Sequence, residues 1–174
     1  MVHHRHTKKK SQQQREDLTG EHTIGDAGQI VFACLFAATW VADSFFFSYT
    51  TFLNQLVPPA ARIPVGIVML GISGYLARTG LSIVFGKVRE KPGVIREGVF
   101  NVVRHPVYLS EILLYFGLLM LNISLAAAAI WIIAIVFLHY ISRYEEKLLL
   151  ERFGDEYKLY MQEVPMWFPQ FRKK

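Results

Sequence analysis

A single cysteine, Cys34, is present among 174 residues, which excludes a disulfide framework and a thiolate-bound metal centre. Cys34 lies inside an apolar run, where it is expected to pack. The net charge of +5 is accompanied by no groove-reading or base-stacking motif, so nucleic acid is not an expected partner. His3, His4 and His6 form a metal-like tract, but they sit in a Gln- and Lys-rich segment that cannot bury a core, and no metal site is expected. A cleavable signal peptide is not expected either, because the first apolar run begins behind a charged segment, is too long for a signal core and lacks a cleavage site. Asn122-Ile123-Ser124 matches a glycosylation acceptor, yet a tight turn at a membrane surface is a poor acceptor position.

Apolar residues are what the chain has in quantity. They make up 52% of it, with 14% aromatic, which is rich for a soluble domain of this size. They are gathered into runs over residues 30–49, 63–85, 107–121 and 123–142, interrupted by few charges. A hydrocarbon core of ~30 Å needs about 20 such residues, so these runs predict about four transmembrane helices in an all-α membrane bundle. The third run is short, and only Asn122 separates it from the fourth, which predicts a tight helical hairpin. Pro64 suits the first turn of the second span. Gly66, Gly71 and Gly74 lie about a turn apart and predict close packing of that span at the centre of the bundle.

Positive charge tests this topology separately, because cytoplasmic loops retain Lys and Arg. The first segment carries Arg5, Lys8, Lys9, Lys10 and Arg15; the middle loop carries Lys87, Arg89, Lys91, Arg96 and Arg104. The last segment carries Arg143, Lys147, Arg152, Lys158, Arg172, Lys173 and Lys174, whereas the opposite side has only Arg62. Both termini and the middle loop are therefore expected in the cytoplasm, against an anionic lipid surface. Residues 1–28 are expected to form a flexible tail and 29–174 a single membrane domain. A cytoplasmic helix is expected over 143–160, interrupted near Gly154, with Leu148, Leu149, Phe153, Tyr157 and Tyr160 forming an apolar stripe that folds back onto the loop or lies in the interface. Trp167 and Phe168 suit an interfacial anchor.

Chemistry-bearing residues converge at the cytoplasmic side. Gly98-Val99-Phe100 and Arg104-His105-Pro106-Val107-Tyr108 precede and open the third span; Glu145-Glu146, Phe153-Gly154-Asp155-Glu156-Tyr157 and Tyr160 follow the fourth. A proline-started helix directs uncapped backbone donors and partial positive charge at the interface, which suits a carboxylate. His105, Tyr108, Glu145 and Glu146 add donors, acceptors and aromatic faces. Over roughly Lys91 to Pro169 this pattern closely resembles the isoprenylcysteine carboxyl methyltransferase family and its phospholipid methyltransferase relatives. Membrane sterol reductases share a similar signature.

The resemblance implies S-adenosyl-L-methionine as cofactor and a lipid or lipidated methyl acceptor held by the membrane. It implies cofactor contacts from Pro92, Gly93, Val94, Ile95, Phe100, His105, Pro106, Val107, Tyr108 and Glu145, with Glu146 as the second carboxylate of the pair. Two departures stand out: Ser110 occupies a position often Gly, and Ile141 stands where isoprenylcysteine enzymes place an Arg that holds the substrate carboxylate. The nearest cation, Arg143, is turned about 200° from Ile141 on a regular helix. Arg104, Arg143 and Glu111 are the candidate catalytic residues, the two arginines for a carboxylate acceptor and Glu111, or else Glu145, as proton acceptor for an amine. Arg78 and Glu111 are intramembrane charges and candidates for an ion pair, while Asp43 lies far from the motifs and is expected to be structural. Alternative readings are a membrane scaffold that kept the fold and lost the reaction, and a sterol-reductase-like nicotinamide enzyme.

Overall fold

The computed structural model describes residues 23–86 and 93–168. The His tract, most of the expected tail, Lys87, Arg89, Lys91, Pro92 and the last six residues lie outside them. The described chain is all-α: α1 Thr23–Val41, continued by a π-helical turn Ala42–Phe47; α2 Leu53–Leu56; α3 Pro59–Phe85; α4 Pro106–Leu121; α5 Leu125–Phe153; and α6 Asp155–Glu163. A single 3-10 turn, Gly98–Asn101, precedes α4. Three helices, Ala27–Phe47, α3 and α5, are long and apolar enough to cross a membrane, and α4 is a shorter apolar helix of 16 residues. Their outward faces carry exposed Ile30, Val31, Ile67, Ile132, Ile133 and Val136, an arrangement suited to lipid rather than water.

α4 and α5 form the expected hairpin. Ser124 caps α5 by accepting from the Ala127 N–H at 3.2 Å, and Trp40 Nε1 donates to the Asn122 carbonyl at 2.9 Å. Asp43 is structural at this end, accepting from Thr50 N at 3.1 Å and from Ser124 Oγ at 2.6 Å. α5 has 29 residues, or about 43 Å of helix, so it continues past the expected end of the fourth span without a break. The break falls at Gly154, whose φ of +54° favours glycine. Beyond it α6 turns back, and Tyr157, Tyr160 and Val164 pack with Val94, Leu149, Leu150 and Phe153. The stripe thus folds onto the middle loop.

Several expectations are corrected. Helix α3 is not central: it packs chiefly along α4, while α1 packs along α5. Gly66 permits that contact, since a Cβ there would lie 2.9 Å from the Gly117 carbonyl oxygen, whereas nothing lies within 4 Å of one at Gly71 or Gly74. α3 starts at Pro59 behind an extended Pro58, so Pro64 is inside the helix, close to its membrane-surface end. Cys34 is exposed rather than packed. Arg78 is also exposed and pairs with no carboxylate among the described residues; Glu111 instead accepts from Tyr115 one turn along its own helix. Phe36 of α1 stacks on Tyr115 with ring centroids 4.3 Å apart, which fixes this stretch of α1 against α4.

Candidate active site

The site is assembled at the start of α4, where the chain leaves an extended segment and Pro106 supplies the first helical residue. Pro106 has no N–H, and the first helical bond is made by Leu109 N to His105 O at 3.0 Å. The Val107 N–H therefore has no acceptor within the helix, and His105 makes no side-chain cap. This end of α4 lies beside Glu145 and Glu146 of α5.

Glu146 is buried, with 2% of its side chain exposed, and its Oε1 accepts from Arg104 Nε at 2.7 Å and lies 3.2 Å from His105 Nε2. Its Oε2 accepts no hydrogen bond; the Arg143 guanidinium is 3.5 Å away. Arg104 also donates from Nη1 to the carbonyls of Met161 at 2.9 Å and Val164 at 2.5 Å, while its backbone N–H donates to Pro165 O at 3.0 Å. One side chain thus ties the α4 entrance to α5 and to the chain after α6. Burial pushes the His105 imidazole below its ordinary pKa, against the opposing pull of Glu146, and the ring is neutral near pH 7. Its Nε2 contact with a carboxylate selects the Nε2–H tautomer.

Glu145 has a different setting. It is half-buried, accepts from Tyr108 Oη, and has its Oε2 3.7 Å from His105 Nδ1. The His105 and Tyr108 rings stack at 5.6 Å with 6° between their planes, and Trp167 flanks His105 at 6.3 Å. The start of α1 closes over this group: a Cβ at Gly25 would lie 3.1 Å from Ile141 Cγ2, 3.8 Å from Tyr108 Oη and 4.0 Å from Glu145 Oε1. Gly25 is the residue that motif reading missed. Its signal was the Gly25–Gly28 spacing, which reads equally well as loop punctuation.

The other candidates divide by location. Phe100 is half-buried, and its carbonyl accepts from Tyr160 Oη at 2.7 Å; Val94 packs beneath Tyr157 and Tyr160, whose hydroxyls burial keeps protonated. Gly93 is exposed and Ile95 half-buried in the same extended segment, and Pro92 falls outside the described residues. Val107 turns toward α3, its Cγ2 3.0 Å from where a Gly80 Cβ would stand. Ser110 also faces α3, donating to Val107 O while its own carbonyl accepts from Ser73 at 2.7 Å, so its side chain does not narrow the Tyr108–Glu145 group. Ile141 is buried against Tyr108 and Leu138, and Arg143 is 62% exposed on another face of α5, as their spacing requires. Glu111 lies three residues beyond Tyr108 on α4, half-buried in the apolar part of the bundle.

The phospholipid methyltransferase family model matches residues 65–156, just over half of the chain. No curated protein matches the chain significantly. The matched stretch runs from the second turn of α3 to the first of α6 and contains Arg104 to Tyr108, Glu145 and Glu146. It bears out the resemblance drawn from those motifs, since this family falls in the same group of membrane methyltransferases. With its apolar helices and this match, the chain is a membrane protein belonging to the phospholipid methyltransferase family.

Proposed function

We propose that the chain is an S-adenosyl-L-methionine-dependent methyltransferase acting at the cytoplasmic face on a lipid amine or thiol presented from the bilayer. The observation that carries this reading is the Tyr108–Glu145 pair set beside the uncapped first turn of α4. Those groups fit the cofactor: the Val107 N–H at the start of α4 suits its carboxylate, and Glu145 suits its ammonium or ribose hydroxyls. The His105, Tyr108 and Trp167 rings offer π faces to a cation. When bound, the cofactor supplies the methyl group as an already activated sulfonium.

The protein's own part is alignment and exclusion of water. Tyr108 orients Glu145 by donating to it, and Glu146 holds His105 and Arg104 so that the α4 entrance keeps its shape. Gly25 and the chain after α6 cover the group from two sides. An amine acceptor must be neutral to attack, and Glu111 is the carboxylate within the bilayer-facing part of α4 that can take its proton. A carboxylate acceptor would need a cation. Arg104 has Nε and Nη1 committed to Glu146, Met161 and Val164, Arg143 is mostly exposed and pairs with Glu146 Oε2 at 3.5 Å, and Ile141 is apolar. The charge asymmetry of the loops supports a cytoplasmic position for this end.

The test is equilibrium binding of radiolabelled S-adenosyl-L-methionine to the protein in lipid nanodiscs. The wild type is expected to bind, and Glu145→Gln to weaken binding by about tenfold, the loss of one charge-assisted contact, without lowering the melting temperature. Absence of binding by the folded wild type would leave the non-catalytic scaffold as the correct reading.

A further inference from the structure

At the end of the bundle away from Arg104 and Glu146, separated from them by the 16 residues or about 24 Å of α4, lies a cavity of about 500 Å³. Its polar lining comes from Ser48, Thr51, Asn54, Gln55, Arg62 and Asn122. Arg62 is the cation of this group. Its Nη1 donates to the carbonyls of Leu121 and Met120, at the end of α4, while its Nε is buried with no hydrogen-bond acceptor. No carboxylate among the described residues lies within ion-pair distance of it, and the nearby acid Asp43 is occupied by Thr50 and Ser124. A half-buried guanidinium that lines a cavity of ligand size beside hydroxyl and amide groups, with no carboxylate among the described residues to neutralise it, is the setting for a tetrahedral oxyanion.

The surroundings identify where that anion comes from. Phe45, Phe46, Phe47, Tyr49 and Phe52 all project outward around the cavity, with 55–81% of each exposed, as an aromatic belt does at a membrane surface. Exposed Leu56 at the end of α2 and Ile63 and Ile67 on the outside of α3 continue from it, a path for acyl chains. We infer that this cavity binds the phosphate of a phospholipid headgroup in the leaflet opposite the candidate active site, with Arg62 as the recognising residue. The site stands on observations independent of the proposed methyl transfer.

Native mass spectrometry of the protein titrated with phosphatidylglycerol, which has no amine to methylate, tests this. The wild type is expected to retain one phosphatidylglycerol, Arg62→Met to lose at least about tenfold in apparent affinity, and Arg62→Lys to lose less. Because Arg62 also caps α4, Gln55→Glu serves as the second variant, its side chain making no hydrogen bond among the described residues: a carboxylate in the cavity neutralises Arg62, and the same loss is expected with an unchanged melting temperature. Diacylglycerol, which lacks the phosphate, is expected not to compete. Equal retention by wild type and Gln55→Glu, equal competition by diacylglycerol, or displacement by millimolar inorganic phosphate alone would each overturn the assignment, the last by identifying a free-anion site.

Discussion

Replacing Arg104 with Met removes one member of an ion pair whose side chains are 8% and 2% exposed. Glu146 is then left buried with His105 as its remaining close partner on Oε1, and His105 is neutral. The carbonyls of Met161 and Val164 lose their donor in the same step. The mostly exposed Arg143, 3.5 Å from Glu146 Oε2, offsets only part of the buried charge that remains, and breaking a buried pair from one side costs roughly 3–5 kcal/mol. For a chain of this size that corresponds to a fall of roughly 6–20 °C in melting temperature. The double change Arg104→Met with Glu146→Leu removes the stranded carboxylate and should recover a large part of the loss, because replacing both partners is much less costly than removing one. Thermal melts in detergent, with a four-member mutant cycle, measure both quantities. A fall below about 2 °C for Arg104→Met, or a double variant no better than the single, would refute the view that Arg104 is a clamp on Glu146 and the C-terminal segment.

A buried neutral His105 also makes stability depend on pH. Its folded pKa lies below its ordinary value of 6.5, so the unfolded chain takes the proton first as pH falls; the stabilisation is complete above about 6.5 and is lost below it, toward the folded value. Melting temperature should fall more steeply from about pH 7.5 to 5.5 in the wild type than in His105→Gln, and parallel profiles would contradict this. Gly66→Ala, pressed on the Gly117 carbonyl oxygen, should destabilise by about 1–3 kcal/mol, while Gly71→Ala, facing open space, should be neutral or stabilising by up to about 1 kcal/mol; the same melts compare them. Arg143→Ala should leave the KM for the methyl acceptor nearly unchanged, and a tenfold rise would point to a carboxylate acceptor held by that cation.

The four apolar helices, the hairpin at Asn122 and the break at Gly154 were legible in the sequence because each follows from local pattern: run length, one polar residue between runs, and a glycine where φ is positive. The early start of α3 was hidden because Pro58-Pro59 reads as an interruption, although Pro59 fits the first helical position. Which glycines meet a neighbouring helix was also hidden: Gly66, Gly71 and Gly74 share a spacing, and only the docking of α4 distinguishes Gly66. Tyr108 and Glu145 belong to motifs that could be read along the chain, whereas the contacts of Arg104, an alternative to Arg143 as the cation for a carboxylate acceptor, could not be. Its bonds run to carbonyls 57 and 60 residues away, which no spacing rule reveals. The covering of the site by Gly25 was missed for the same reason, since α1 and α5 meet only in the folded bundle.

Transfer of tritiated methyl from S-adenosyl-L-methionine into lipid, with the protein in nanodiscs containing aminophospholipid, isoprenylcysteine or thiol acceptors, tests the central claim most directly. Protein-dependent label is expected in the lipid fraction, resistant to base hydrolysis as an N- or S-methyl group is, and reduced in Glu145→Gln. Label released by base as volatile methanol would contradict the amine or thiol assignment, and no protein-dependent label with any acceptor class would contradict methyl transfer to lipid itself.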